Sequence, residues 1–310
     1  MKSSPSSILI AGTGAMACLF AARLAGAGIP VAMTGTWPAG LDALEKSGVC
    51  LVQADGSSQA YPVQVIREGQ ACEPARYALV LVKSWPTERA AQRLVRCLAS
   101  KGLALTLQNG LGNREKLLRA LGPRRVALGV TTGGATLLAP GRVIPAGEGM
   151  IALNGTPGLE PLGEMLKQAG FRVENVADAQ ALLWGKLVIN AAINPLTAVL
   201  GIPNGELLDH QETRRLMAEL AGEAAAVANA LGIHLHYENP ATAAEYVAQR
   251  TAANLSSMLQ DIRNGRPTEI EAICGEIVRL GEQSGVPTPL NRVMWQLVKA
   301  KGNDNHHNIG

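Results

Sequence analysis

The sequence predicts a two-domain protein, an α/β domain over residues 1–177 followed by an all-helical domain over 178–310. Three observations predict it. A glycine-rich turn joins an apolar strand to a helix near residue 12. Short apolar runs then alternate with helical patterns as far as Val176. Beyond Asp178 strand-like alternation almost disappears and long helical periods take over. With 310 residues the chain exceeds what one hydrophobic core usually serves. A hydrophobic fraction of 47% against 17% charged allows two substantial cores.

Each element has its own signal. Residues 8–11 are purely apolar, as a buried parallel strand requires, and Met16, Leu19, Phe20 and Leu24 mark one face of a helix over 14–27. A strand over 30–34 completes a βαβ unit, and a helix follows over 41–46. Two extended pieces within 49–66 flank Asp55-Gly56, a hairpin turn signal. Strands are then predicted over 78–82, 103–107 and 126–131, with helices over 88–98 and 114–121 between them. Gly and Pro punctuate 133–153 into short extended runs, an antiparallel edge. A helix over 161–169 and a strand over 171–176 close the α/β part. Helices are predicted over 179–193, 211–231, 240–247, 254–262, 269–284 and 291–299.

Composition excludes several function classes. The net charge of +3 and the absence of a long basic run argue against a nucleic-acid partner, and the cluster Arg119, Arg124, Arg125 reads as a solvated helix end. Aromatics at 3% leave little for base-stacking platforms. The five cysteines, Cys18, Cys50, Cys72, Cys97 and Cys274, are odd in number and widely spaced. They are expected to be neither a disulfide framework nor a metal site, with Cys18 and Cys97 as packing residues. The longest oily stretch, 182–201, carries Lys186, Asn190, Asn194 and Pro195, which makes it a poor membrane span. No signal peptide is visible in residues 1–7, and a cytoplasmic location is expected. Residues 301–310 are expected to fray, with His306 and His307 in that tail.

The turn Gly12-Thr13-Gly14-Ala15-Met16-Ala17 has the GxGxxA spacing in the context that makes it informative, after a strand and opening a helix. Gly12 permits the tight turn, Gly14 leaves room for a pyrophosphate, and Ala17 allows close helix–strand packing. The free N–H groups of the helix end favour an anion. The first domain is therefore predicted to be a Rossmann-type dinucleotide-binding domain.

Polar residues that interrupt apolar patterns mark the rest of the site. Lys83 follows a strand, where ligands of parallel sheets bind, although a snorkelling surface lysine fits the same pattern. Asn109-Gly110 follows another strand, and Asn109 either orients a ligand or makes a turn. Lys186, Asn190 and Asn194 fall at i, i+4 and i+8 on one face of an otherwise apolar helix. Burying three such groups requires partners, either a ligand with oxygens or an internal network. Ser256 and Thr268 read as helix caps, which leaves Glu269 in a first turn.

These segments together resemble the ketopantoate reductases (2-dehydropantoate 2-reductases) over nearly the whole chain. The anchors are GTGAMA at 12–17, VKSW at 82–85, QNGLG at 108–112, WGKLVINAAINPLTA at 184–198, PNGEL at 203–207, SSMLQDI at 256–262 and TEIE at 268–271. The resemblance implies NADPH-dependent reduction of 2-dehydropantoate to (R)-pantoate on the route to pantothenate and coenzyme A. It implies Lys186 as catalytic lysine and Glu269 as active-site glutamate, the latter also at the cofactor. Asn109, Asn190, Asn194, Asn254 and Ser257 then match substrate-binding positions. Gly12–Ala17, Thr36, Lys83 and Asn109 match the cofactor side. One departure stands out: the family usually carries an arginine for the 2′-phosphate after the second strand, and this chain has Thr36 there. Thr34 and Thr36 offer hydroxyls but no charge, so NADPH is the expected cofactor and NADH the alternative. A reductase of another branched 2-oxo acid and a non-catalytic NAD(P) sensor are the rival readings. No metal and no nucleic-acid or membrane partner is expected, and a homodimer is the oligomer to test for.

Overall fold

The computed structural model describes residues 8–147 and 149–304. The start of the chain and the histidines at 306 and 307 lie outside these residues. Two compact units emerge. One comprises the chain up to Gln108 together with Asn113–Ala179, and the other takes Asn109–Gly112 and everything from Gln180.

The first unit is built on β1(Ile8–Ala11), α1(Ala15–Gly26), β2(Val31–Thr34), α2(Pro38–Ser47), β3(Val49–Val52), β4(Ser58–Tyr61) and β5(Gln64–Val65). It continues through β6(Ala75–Val80), α3(Thr87–Cys97), β7(Leu98–Thr106), α4(Asn113–Leu121) and β8(Val126–Thr131). It closes with β9(Ala135–Ala139), β10(Arg142–Pro145), β11(Met150–Asn154), α5(Glu160–Gln168) and β12(Arg172–Val176). An eight-stranded sheet runs β12-β11-β8-β7-β6-β1-β2-β5. β1 pairs in parallel with β2 on one side and β6 on the other, Ile10 lying opposite Met33 and Leu79. This is the Rossmann-type arrangement. Its centre is apolar on both faces because helices cover both, so all four residues of β1 are buried. Phe20 of α1 stacks on Phe171 at 4.3 Å between ring centroids, joining α1 to the start of β12.

Several expectations are corrected here. β6 ends at Val80, not Val82, so Lys83 lies in the following loop. The strand stops because the amide of Gln108 donates to the Val82 carbonyl at 3.0 Å and the Thr87 hydroxyl to that of Ser84 at 2.9 Å, turning the chain toward α3. A second sheet, β4-β3-β10-β9, joins the 49–61 hairpin to the 135–145 hairpin through a parallel β3–β10 pair. Cys72 and Cys97 form a disulfide, their Cα atoms 5.4 Å apart. Twenty-five residues separate them in sequence, and only the fold brings the loop after β5 to the end of α3. Cys18, Cys50 and Cys274 are free, and burial pushes the Cys18 thiol up to about 12. Arg125 is no solvated helix end: its guanidinium donates to the Leu98, Ala99 and Gly102 carbonyls around the start of β7.

The second unit is helical: α6(Ala179–Leu200), a 3-10 turn Gly205–Leu208, α7(Gln211–Ala230), α8(Pro240–Arg250) and α9(Ser257–Arg263). A π-helical turn Glu271–Gly275 then leads into α10(Glu276–Ser284), and α11(Pro289–Asp304) ends the described chain. Residues 301–304 are thus helical. α6 was expected to stop at Ile193 and instead continues through Pro195. A proline removes one helical donor, but burial of Trp184, Leu187, Val188, Ala191, Ala192, Ile193 and Leu196 holds the helix on both sides of it. By length and composition α6 could cross a membrane, yet 61% of its apolar window is buried inside the protein. Glu223 on α7 accepts from the Leu290 and Asn291 backbone N–H groups at 2.9 Å, serving as an anion at the start of α11.

Candidate active site

The glycine turn has the form its sequence requires. Gly12 adopts φ +138°, and a Cβ there would lie 2.9 Å from the Leu81 carbonyl oxygen. That backbone conformation and approach exclude a side chain. Gly14 caps α1 with no side-chain hydrogen bond, and a Cβ on it would meet nothing within 4 Å. The open space lies before a helix end with no acidic residue in its first turn. These residues fit a dinucleotide: the backbone N–H groups can cradle a pyrophosphate where a side chain would intrude. Thr13 is buried, while Ala15 and Met16 are partly exposed and Ala17 packs fully into the core.

At the end of β2 the two threonines differ. The Thr34 hydroxyl donates to the Ile66 carbonyl at 2.9 Å, which corrects the expectation that it is available to a phosphate. Thr36 is exposed. A cation that the sequence did not indicate comes from β5, which lies beside β2 with Val65 opposite Met33. Two residues on, Arg67 bonds Asp42 and Glu45 of α2, each at 2.6 Å. Its charge is already countered by two carboxylates. Lys83 is half-buried, and the Gln108 amide, which donates to the Val82 carbonyl and to the Thr87 hydroxyl at 2.8 Å, holds its loop.

In the helical unit three predicted residues come together. Lys186 projects from α6, Glu269 is buried at 6% exposure, and the Asn109 amide donates to Glu269 Oε2 at 3.5 Å across 160 residues of sequence. Desolvation moves the Lys186 ammonium down to about 8, and the nearby Glu269 carboxylate pulls the other way, toward the charged form. The result is a lysine that remains mostly protonated at neutral pH and releases its proton far more readily than a solvated one. The Asn109 segment is docked firmly. The Leu111 N–H donates to the Ala272 carbonyl of the π turn at 2.8 Å. Gly110, at φ +78°, lies so close that a Cβ would be 2.5 Å from that oxygen. Asn109 therefore acts on Glu269 rather than merely making a turn, and Gly110 is a residue whose importance only the structure reveals.

Asn190 and Asn194 follow Lys186 on the same face of α6, Asn190 partly exposed and Asn194 buried. Ser256 is the N-cap of α9, its Oγ accepting from the Leu259 N–H at 3.1 Å and from the Thr197 hydroxyl at 2.7 Å. Ser257, the first residue of α9, and Asn254, in the loop before it, are both exposed. Asn254 was expected to begin the helix and lies three residues outside it. Thr268 was expected to cap the next helix, but that segment begins at Glu271 with Ile270 as its N-cap. The Thr268 hydroxyl accepts from the Ile270 N–H at 3.4 Å in the preceding turn, and Glu269 lies before the helix.

Comparison with known proteins identifies the family. The family description "Ketopantoate reductase PanE/ApbA" matches residues 8–158, and its C-terminal counterpart matches residues 178–302. A 2-dehydropantoate 2-reductase of Archaeoglobus fulgidus is 38% identical over 232 residues, 73% of this chain and 76% of that protein. One from Halobacterium salinarum is 30% identical over 96% of this chain and 99% of its own length. Among solved structures, a PanE/ApbA family ketopantoate reductase of Ralstonia eutropha superposes with a TM-score of 0.90 at 31% identity, covering 97% of this chain and 100% of that one. A D-mandelate dehydrogenase solved with NADH and anilino(oxo)acetate gives 0.91 at 25% identity, covering 97% and 99%.

Proposed function

Because this chain belongs to the ketopantoate reductase family, we propose that it reduces 2-dehydropantoate to (R)-pantoate, with NADPH as the preferred hydride donor, on the route to pantothenate and coenzyme A. Its relatives and structural neighbours support an oxidoreductase that works with a nicotinamide cofactor on a small molecule.

The observation that carries it is the grouping of Lys186 and Asn109, both half-buried, around the buried Glu269. Binding alone has no use for a desolvated lysine beside a carboxylate, which counts against a sensor. When bound, the reduced nicotinamide supplies the hydride. Lys186 supplies what remains: its ammonium stabilises negative charge on the ketone oxygen and delivers the proton there. Glu269 keeps the lysine charged against desolvation, and Asn109 orients the carboxylate. Asn190 and Asn194 hold substrate oxygens along α6, while Asn254 and Ser257 bind its carboxylate and hydroxyl. Gly12–Ala17 bind the pyrophosphate, and Lys83 the ribose side.

Cofactor preference is narrower than an arginine at position 36 would give. Thr36 brings no charge, and Arg67 is engaged by Asp42 and Glu45. No carboxylate ends β2, so nothing there repels a 2′-phosphate. A second reading, reduction of another 2-oxo acid, is favoured by the likeness to the D-mandelate dehydrogenase. One experiment separates them: following cofactor oxidation with 2-dehydropantoate and with a panel of other 2-oxo acids, each with NADPH and NADH. Highest kcat/KM for 2-dehydropantoate with NADPH supports the proposal. Background turnover with it, beside good turnover of another 2-oxo acid, replaces it. Sizing in solution tests the homodimer.

A further inference from the structure

The segment Pro203–Leu207 takes no direct part in the chemistry above, yet its asparagine is buried at 8% exposure. Four contacts engage this segment, through the Asn204 backbone N–H and Nδ2 and through Gly205, while Asn204 Oδ1 is buried without a partner. The Asn204 N–H donates to the Asn254 carbonyl at 3.0 Å, and its side-chain Nδ2 donates to the Thr251 hydroxyl at 2.9 Å. The Gly205 N–H donates to the Ala252 carbonyl at 3.0 Å. The approach at Gly205 is so close that a Cβ would lie 2.5 Å from that of Ala252. Thr251 gives its own hydroxyl proton to the Val247 carbonyl at 2.7 Å, which leaves its oxygen as an acceptor for Asn204. The loop between α8 and α9 is therefore docked, through its inner residues, on the turn that follows α6.

The other end of the same loop is tied to α6 as well, through the bond from Thr197 to Ser256. α6 also carries Lys186, Asn190 and Asn194. The exposed Asn254 lies between these two anchors. We propose that Asn204 is a positioning residue for the substrate: it fixes the loop 251–254, and through it Asn254, in register with Lys186. This rests on the reading of Asn254 as a substrate contact. A two-ended 2-oxo acid needs that register, because its carboxylate end and its ketone oxygen must both be met at once. Asn204 itself is buried under the loop and acts through it.

The test compares Asn204→Ala, Thr251→Val, their double variant, Thr251→Ser and Asn254→Ala. KM for 2-dehydropantoate, kcat, NADPH affinity and melting temperature are measured for each. Loss of the Asn204–Thr251 bond is expected to raise KM roughly 3- to 10-fold, with kcat and NADPH affinity near the parent's. The double variant should be no worse than the worse single one, since both remove one bond. Thr251→Ser keeps the hydroxyl and should keep the parent KM. Thr251→Val is close in shape, so it carries the test if Asn204→Ala does not fold. Unchanged KM in both folded single variants, with Asn254→Ala raising KM, overturns the positioning role and leaves the Asn254 reading intact. So do additive effects in the double variant. Unchanged kcat/KM in Asn254→Ala removes the Asn254 reading and the inference with it.

Discussion

The two units build their sites from different materials. In the first, the proposed site is a turn of backbone opening a helix, Gly12–Ala17, whose residue types matter chiefly for what they leave out. In the second, Lys186 of α6, Asn109 and Glu269, which precedes the π turn, come together, and in the proposed site their charge and hydrogen-bonding chemistry matter. A backbone site tolerates change wherever no Cβ or charge intrudes. A side-chain site fails when one functional group is removed. The difference predicts that substitutions in the two units split kinetically, into cofactor affinity on one side and turnover on the other.

The largest expected effect is at Lys186. Replacing it with Ala should lower kcat by roughly 100-fold or more while NADPH affinity, followed by fluorescence titration, stays near the parent's. Near-parent kcat at saturating substrate, or a loss confined to cofactor affinity, would break the division. Next comes Thr36→Arg. The position is exposed and accepts the side chain. One added charge-assisted contact, about 1.5–3 kcal/mol, should raise the NADPH-to-NADH ratio of kcat/KM by about 10- to 150-fold. An unchanged ratio would place the 2′-phosphate away from the end of β2. Gly14→Ala is smaller. Nothing lies within 4 Å of the new methyl, so the fold should stand. The methyl crowds the pyrophosphate by about 1 kcal/mol, weakening cofactor binding about 5-fold. Isothermal titration checks this, and unchanged affinity would mean the pyrophosphate does not approach Gly14.

The same contrast explains what could be read from the sequence. The glycine turn was legible because its requirements are local: a strand, a tight turn and a helix end dictate residue types at fixed spacing. The stripe Lys186, Asn190, Asn194 was legible because polar groups on an apolar helical face stand out. That Asn109 meets Glu269 was not legible from spacing, since 160 residues intervene and only the resemblance linked them. The π turn at Glu271–Gly275 was missed because its apolar pattern is that of an ordinary helix. The run of α6 past Pro195 was missed because tertiary burial overrides the proline. Arg67 and the Cys72–Cys97 bond depend on neighbours brought together across the sheet edge and by the end of α3. The importance of Gly110 and Gly205 lies in what a Cβ would strike, and a sequence does not show that.

The central claim is that Lys186 is the proton donor, brought down to about 8 by burial and held from falling further by Glu269. The ammonium is the active form, so kcat/KM must decline as pH rises through that value. Removing the Glu269 charge removes the one opposing influence, and the decline must then move to lower pH. The direct measurement is the pH profile of kcat/KM with 2-dehydropantoate for the parent and for Glu269→Gln. The account predicts an alkaline limb near pH 8 in the parent and a limb at lower pH in the variant. A parent profile flat to pH 10, or a limb that stays in place in Glu269→Gln, would contradict it.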